Sequence, residues 1–87
     1  MKNLRVPLRV VFYKDGQRWV AHCLEFDLVG DGETKRDALA RLSDAIGLQV
    51  QASLELRNPG NLFKPADPQL FMMFAAGTDV VVGDLHL

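Results

Sequence analysis

The stretch that decides the fold is Phe12–Val50, which reads FYKDGQRWVAHCLEFDLVGDGETKRDALARLSDAIGLQV. Apolar and polar residues alternate through its first part, which is typical of half-buried strands, and Asp15-Gly16 interrupts the alternation as a tight hairpin turn does. Thr34 then precedes apolar residues at three- and four-residue spacings, and Asp37 follows at the position of a weak capping box. This order predicts antiparallel strands followed at once by one amphipathic helix.

Three strands are predicted before that helix, with alternate side chains on opposite faces. The second strand covers residues 18–23 and the third residues 28–30. Pro7 cannot donate a ladder hydrogen bond, so a bulge or an unpaired edge is expected beside it. The apolar face of the first strand consists of Leu4, Val6, Leu8, Val10 and Phe12.

The long helix is predicted over residues 35–56, and residues 57–61 are expected to break it. Gly47 lowers its stability by roughly 1 kcal/mol relative to Ala, or else permits close contact with another backbone. The stripe expected to lie on the sheet consists of Ala38, Leu39, Leu42, Ala45, Ile46, Val50 and Leu54.

A short helix and a last strand complete the predicted elements. The helix covers residues 69–76, with Asp67 as its cap, Pro68 at its first position and Gly77 as its stop. The strand covers residues 78–87, in which Gly83 is expected to mark a bulge.

Length and composition indicate one globular domain, covering residues 1–87. Hydrophobic residues make up 48% and charged residues 24% of the 87 residues, and ten Lys and Arg oppose eleven Asp and Glu. A domain of this size buries only about 60% of its unfolded surface, so a homo-dimer or higher homo-oligomer is expected. With a formal charge of -1, the chain has no overall electrostatic attraction to the phosphates of a nucleic acid.

The N-terminal sequence and the single cysteine indicate a cytoplasmic protein. Cys23 has no second cysteine with which to form an internal disulfide. The start MKNLRVPLRVVF has no long apolar region and no small-residue cleavage site, and no apolar run approaches the roughly 18 residues of a membrane span. We therefore expect no membrane segment.

Six short features follow one another in a familiar order: Phe12-Tyr13, Asp15-Gly16, Trp19-Val20-Ala21, Gly32-Glu33-Thr34, Ala38-Leu39 and Ala45-Ile46. Together they resemble the N-terminal domain of HicB-type antitoxins, which has a partial ribonuclease H-like fold. The family's usual Cys-Pro-Glu-Leu stretch appears here as Cys23-Leu24-Glu25-Phe26, without the proline. The resemblance implies an α+β fold in the order β-β-β-α-α-β. Its sheet would be a three-stranded antiparallel meander plus a fourth strand, in strand order 3-2-1-4, with one long and one short helix.

No catalytic, metal-binding or cofactor-binding residue is predicted. A ribonuclease H-like nuclease would need clustered carboxylates on metal ions, with one acid in the middle of the first strand, and residues 8–12 contain none. His22 and Cys23 are adjacent in a strand and therefore point to opposite faces. The imidazole of His22 cannot readily act as the base for a Cys23 nucleophile. The chain is therefore not expected to be an enzyme. The alternative is a degenerate nuclease or a small-ligand-binding protein that uses the sheet face.

The predicted function is that of a non-catalytic protein-interaction module, an antitoxin or a stand-alone relative. The resemblance implies that it would bind and sterically block a HicA-type ribonuclease toxin. Direct DNA binding is not expected, because the second helix is too apolar to serve as a recognition helix. Leu70, Met73 and Phe74 are expected to face the core together, so that Phe71 and Met72 point elsewhere. They would either cap the open end of the sheet and long helix or form an exposed apolar patch that a second subunit or partner protein covers. The candidate partner or oligomer interface consists of Glu25, Asp27, Asp31, Phe71 and Met72.

Overall fold

The sheet has the predicted topology. The computed structural model describes residues 5–57, 63–77 and 79–86. Its four strands form one antiparallel sheet in the order β3-β2-β1-β4, which confirms the predicted α+β fold. The elements in chain order are β1 (Arg5–Asp15), β2 (Arg18–Cys23), β3 (Leu28–Gly32), α1 (Lys35–Glu55), α2 (Pro68–Ala76) and β4 (Val80–His86).

The register of β1 decides between the possibilities at Pro7. The strand β2 pairs only with residues 10–15 of β1, so Pro7 lies beside an unpaired edge rather than at a bulge. On the other side β4 pairs without interruption through Gly83, and the expected bulge at Gly83 is wrong. The predicted helix break at residues 58–61 and the strand ends at Thr78 and Leu87 lie outside the described residues.

The main core lies between α1 and one face of the sheet, called the α1 face. Ser53 is buried in the last part of α1, whereas Leu54 is exposed, so the prediction that Leu54 lies on the sheet is wrong. At 3.6 residues per turn, Leu54 lies roughly 160° around the helix from Ala38 and points away from the strands. The buried residues of this core are Leu8, Val10, Phe12, Ala21, Cys23, Phe26, Ala38, Leu42 and Ile46.

A glycine lets α1 approach β3 closely. A Cβ placed on Gly30 would lie 2.7 Å from the carbonyl oxygen of Ala38 and would also collide with the backbone nitrogen of Leu42. Only a residue without a side chain fits here. Gly47 is different, because a Cβ there would meet no described atom within 4 Å, so the idea that another backbone approaches it is wrong.

The helix ends follow the predicted capping chemistry. The Thr34 side chain accepts a hydrogen bond from the backbone N–H of Asp37 at 3.1 Å, which confirms the start of α1. The Asp67 carboxylate accepts from the N–H of Gln69 at 2.9 Å, and Gly77 ends α2 in the left-handed conformation. Local sequence therefore determines both ends of α2.

Candidate interaction face

The sheet face opposite α1 carries the predicted interface residues and is called the α2 face. Directly opposite residues of neighbouring strands share a face. Tyr13 pairs with Val20, Val11 with His22, and His22 with Val29, so all five side chains project toward the α2 face. This face is covered by α2 only over β1 and the start of β4.

The short helix α2 packs on this face through one side. Leu70, Phe71 and Phe74 contact a small buried cluster of Val11, Leu24 and Ala66. Met73 is exposed, so the prediction that Met73 faces the core and Phe71 points elsewhere is wrong. Phe71 instead packs on that cluster and against Arg9, whose guanidinium carbon lies 4.9 Å from the centre of the Phe71 ring, a contact that helical spacing does not reveal.

Glu25 is held by Arg9 beneath α2. The backbone N–H of Arg9 donates to one Glu25 carboxylate oxygen and its side-chain Nε donates to the other, both at 2.7 Å. The Glu25 side chain is only 16% exposed. Charge-assisted hydrogen bonds of this kind are the strong ones. Glu25 therefore fixes the connection between β2 and β3, and its negative charge is already compensated.

Asp27 ends a chain of hydrogen bonds across the sheet. The Tyr13 hydroxyl lies 3.0 Å from Nδ1 of His22, and Nε2 of His22 lies 2.7 Å from a carboxylate oxygen of Asp27. Burial raises the pKa of the Tyr13 phenol, so it stays protonated at neutral pH and can donate to Nδ1. A neutral imidazole with its proton on Nε2 then satisfies both bonds.

The Tyr13–His22–Asp27 chain has a structural consequence. Asp27 adopts a left-handed backbone conformation, with φ of 53°, which is uncommon outside glycine. Its bond to His22 holds the turn that leads into β3.

Asp31 forms an exposed ion pair on β3. The Nε of Arg18 donates to an Asp31 carboxylate oxygen at 2.7 Å. This hydrogen bond and the charge of Arg18 hold the pKa of Asp31 below its usual range, and the same pair raises the pKa of Arg18. Both side chains remain open to solvent. Asp31 therefore keeps its charge over a wide pH range in a position that another protein can reach.

The structure separates the five predicted interface residues into two groups. Glu25 and Phe71 meet through Arg9 and help to hold the fold, whereas Asp27, Asp31 and Met72 are exposed. Sequence reasoning missed the roles of Arg9, Tyr13 and His22. The Tyr13–His22 contact could have been predicted from the hairpin at residues 16–17, because this turn sets the register of β1 and β2.

Metal-binding and membrane-spanning features are absent from the described ranges. Across residues 5–57, 63–77 and 79–86, no three His, Cys, Asp or Glu side chains lie close enough together to hold a metal ion. None of the helices in this part of the chain has the length and apolar character needed to cross a membrane. No protein-family model, curated protein or solved structure matches the chain.

Proposed function

We propose that this chain is a cytoplasmic, non-catalytic protein-interaction module of HicB-like type, either an antitoxin or a stand-alone relative. It would bind a small basic ribonuclease of the HicA type and cover its active site or RNA surface. The observation that carries the proposal is the combination of exposed apolar and acidic side chains on the α2 side of the sheet. Met72 and Val29 supply the apolar surface, and Asp27 and Asp31 supply the charge.

The existing hydrogen bonds of Asp27 and Asp31 determine how the acidic and the apolar side chains would each contribute to binding. Asp27 and Asp31 each already bond a side chain of β2, through His22 and Arg18. A carboxylate accepts more than one donor, so a basic partner can add to these pairs. Because the pairs weaken the net attraction, we assign the acids to orientation and encounter and the apolar side chains to affinity.

Inhibition of RNA cleavage tests this function directly. A purified HicA-type ribonuclease is mixed with increasing amounts of the chain, and cleavage of a fluorescent RNA is followed. We expect cleavage to stop near one equivalent of the chain. Unchanged cleavage at a tenfold molar excess would refute the proposed function.

A matched pair of variants tests the binding face. Met72→Lys and Leu48→Lys both place a charge at a residue that is about equally exposed, 72% and 70%. Met72 lies on α2, and Leu48 lies on the solvent side of α1. We expect Met72→Lys to weaken inhibition at least tenfold and Leu48→Lys to leave it unchanged. Equal effects would place the contact elsewhere.

Salt separates the apolar contribution from the ionic one. Raising the ionic strength from 0.1 M to 1 M shortens the Debye length from about 10 Å to about 3 Å. We expect the association rate constant to fall at high salt, because the acids guide the encounter with the partner. The dissociation rate constant should change little. A dissociation rate that rises in proportion to the loss of affinity would show that ion pairs hold the complex.

A further inference from the structure

Within the part of the chain that the structure describes, the edge strand β4 lacks most of the usual protection against strand pairing. It lies at the end of the sheet, and its sequence VVVGDLH contains no proline, lysine or arginine. Val81 and Val82 are both exposed. Natural proteins usually blunt such an edge with prolines, lysines, bulges or a covering element. Here β4 has seven residues in continuous register with β1, and it begins with three valines.

The backbone groups of β4 that face away from the sheet can be assigned from its pairing with β1. The N–H of Phe12 donates to the carbonyl oxygen of Asp79 at 2.9 Å. Because successive residues of an antiparallel strand alternate their backbone groups between its two sides, Val81 and Gly83 also bond toward β1. Val80, Val82 and Asp84 therefore direct their N–H and C=O groups to the open side, where only another strand can bond them in series.

We propose that β4 pairs antiparallel with β4 of a second copy of this chain, which joins two sheets into one eight-stranded sheet. The two-fold axis passes beside Gly83, the middle residue of β4. This register pairs the greatest length of strand and sets Val81 opposite Leu85 of the second copy. It goes beyond the proposed function, because it concerns a different edge and a different partner.

A second copy fits this edge better than the other edge of the same sheet does. The strand β3 has five residues against seven in β4, so it offers fewer backbone groups to a neighbouring strand. Pairing β4 with β3 of the next copy would also leave free edges and produce an open filament. Pairing β4 with β4 closes after two copies, as most homo-oligomers do.

The surroundings of Gly83 support the proposed axis. A Cβ on Gly83 would meet no described atom within 4 Å, so the two glycines can approach closely. The carboxylate of Asp84 lies 3.9 Å from Nε of Arg5, which compensates the acidic charge that each copy brings.

An apolar groove adds contact area beside the axis. It has a volume of about 310 Å³, lies between α1 and the end of β4, and is lined by Leu8, Leu39, Ile46, Val50, Gly83 and Leu85. A stable interface usually buries on the order of 1,200–2,000 Å² in total, which one strand pair does not reach. The proposed axis brings the two grooves side by side on the α1 face, so their rims extend the interface.

Proline substitutions at the two sheet edges test the pairing. Val82→Pro and Val29→Pro each remove an N–H that points to the open side of an edge strand, at residues that are 57% and 51% exposed. Sedimentation equilibrium should give twice the 9.7 kDa chain mass for the unchanged protein and for Val29→Pro. Val82→Pro should give the single mass. A monomeric unchanged protein, or a dimeric Val82→Pro, would overturn the proposal.

Two further variants guard against misfolding and test the register. Val82→Asp keeps the backbone N–H and sets a second carboxylate opposite Asp84 of the other copy in the proposed register, so it should also be monomeric, with an unchanged circular dichroism spectrum. In Gly83→Cys the new thiols should face each other across the axis and form a disulfide-linked dimer on mild oxidation, because the native Cys23 is buried. A dimeric Val82→Asp, or a Gly83→Cys dimer that does not cross-link, would contradict the proposed pairing.

Discussion

Adding one methyl group at Gly30 should destabilise the protein more than most exposed substitutions. In Gly30→Ala the new Cβ would lie 2.7 Å from the carbonyl oxygen of Ala38, 2.8 Å from the carbonyl carbon of Arg41, and closer still to the backbone nitrogen of Leu42. All three are backbone atoms of α1, which cannot rotate away as a side chain can. The helix must therefore retreat from β3.

The magnitude follows from two opposing terms. Overpacking of a filled core costs about 1–3 kcal/mol, and the upper end applies because the obstruction is rigid backbone. Replacing glycine by alanine recovers about 0.5–1 kcal/mol by restricting the unfolded chain. The net loss is about 2 kcal/mol, which corresponds to a fall in Tm of roughly 8–16 °C for a domain of this size.

The matched control is Gly47→Ala, which makes the same chemical change inside α1. A Cβ at Gly47 meets no described atom within 4 Å, so the higher helix propensity of alanine should raise stability by about 1 kcal/mol. Urea unfolding followed by the fluorescence of Trp19, the single tryptophan, measures both variants. Gly30→Ala within 0.5 kcal/mol of the unchanged protein would refute the close-approach argument.

Three further predictions concern buried and paired groups. Burial raises the pKa of the Cys23 thiol, so a thiol reagent at pH 8 should label it only after unfolding; rapid native labelling would contradict this. Arg18 lowers the pKa of Asp31, so the stabilisation from this pair is present above the unfolded pKa and is lost as pH falls through the folded one. In Arg18→Gln, the carboxyl titration followed by NMR should move up toward its ordinary midpoint, and an unmoved midpoint would argue against the pair. Glu25→Ala should cost about 1.5–3 kcal/mol in urea unfolding because it leaves two Arg9 donors without their acceptor, whereas Asp31→Ala should cost less; equal losses would contradict a structural role for Glu25.

Local chemistry explains why most elements could be predicted from the sequence. Thr34, Asp67 and Gly77 act on backbone groups within a few residues, so their roles as helix ends can be recognised without knowing the rest of the fold. Alternation likewise assigns side chains to one or the other face of a strand. It does not say which strands are neighbours, and the order 3-2-1-4 was predicted only through the family resemblance.

The interface residues were harder to predict because their surroundings depend on contacts between elements that lie far apart in the sequence. Asp31 has an unremarkable sequence context, and its bond to Arg18 requires β2 and β3 to be aligned. In α2, apolar residues surround the helix, so spacing alone cannot choose between Phe71 and Met73 as the inward residue. The inward side of α2 depends on the surface of β1, where the Arg9 guanidinium contacts the Phe71 ring.

The strand order places part of the proposed ribonuclease-binding face away from the proposed dimer edge. Because β3 and β4 form opposite edges, pairing through Val82 would leave Val29 and Asp31 at the outer edges of a dimer. The two proposals accordingly fail independently: Val82→Pro should abolish dimerisation and preserve inhibition, while Met72→Lys should do the reverse. Loss of both properties in either variant would mean that self-association builds the binding face.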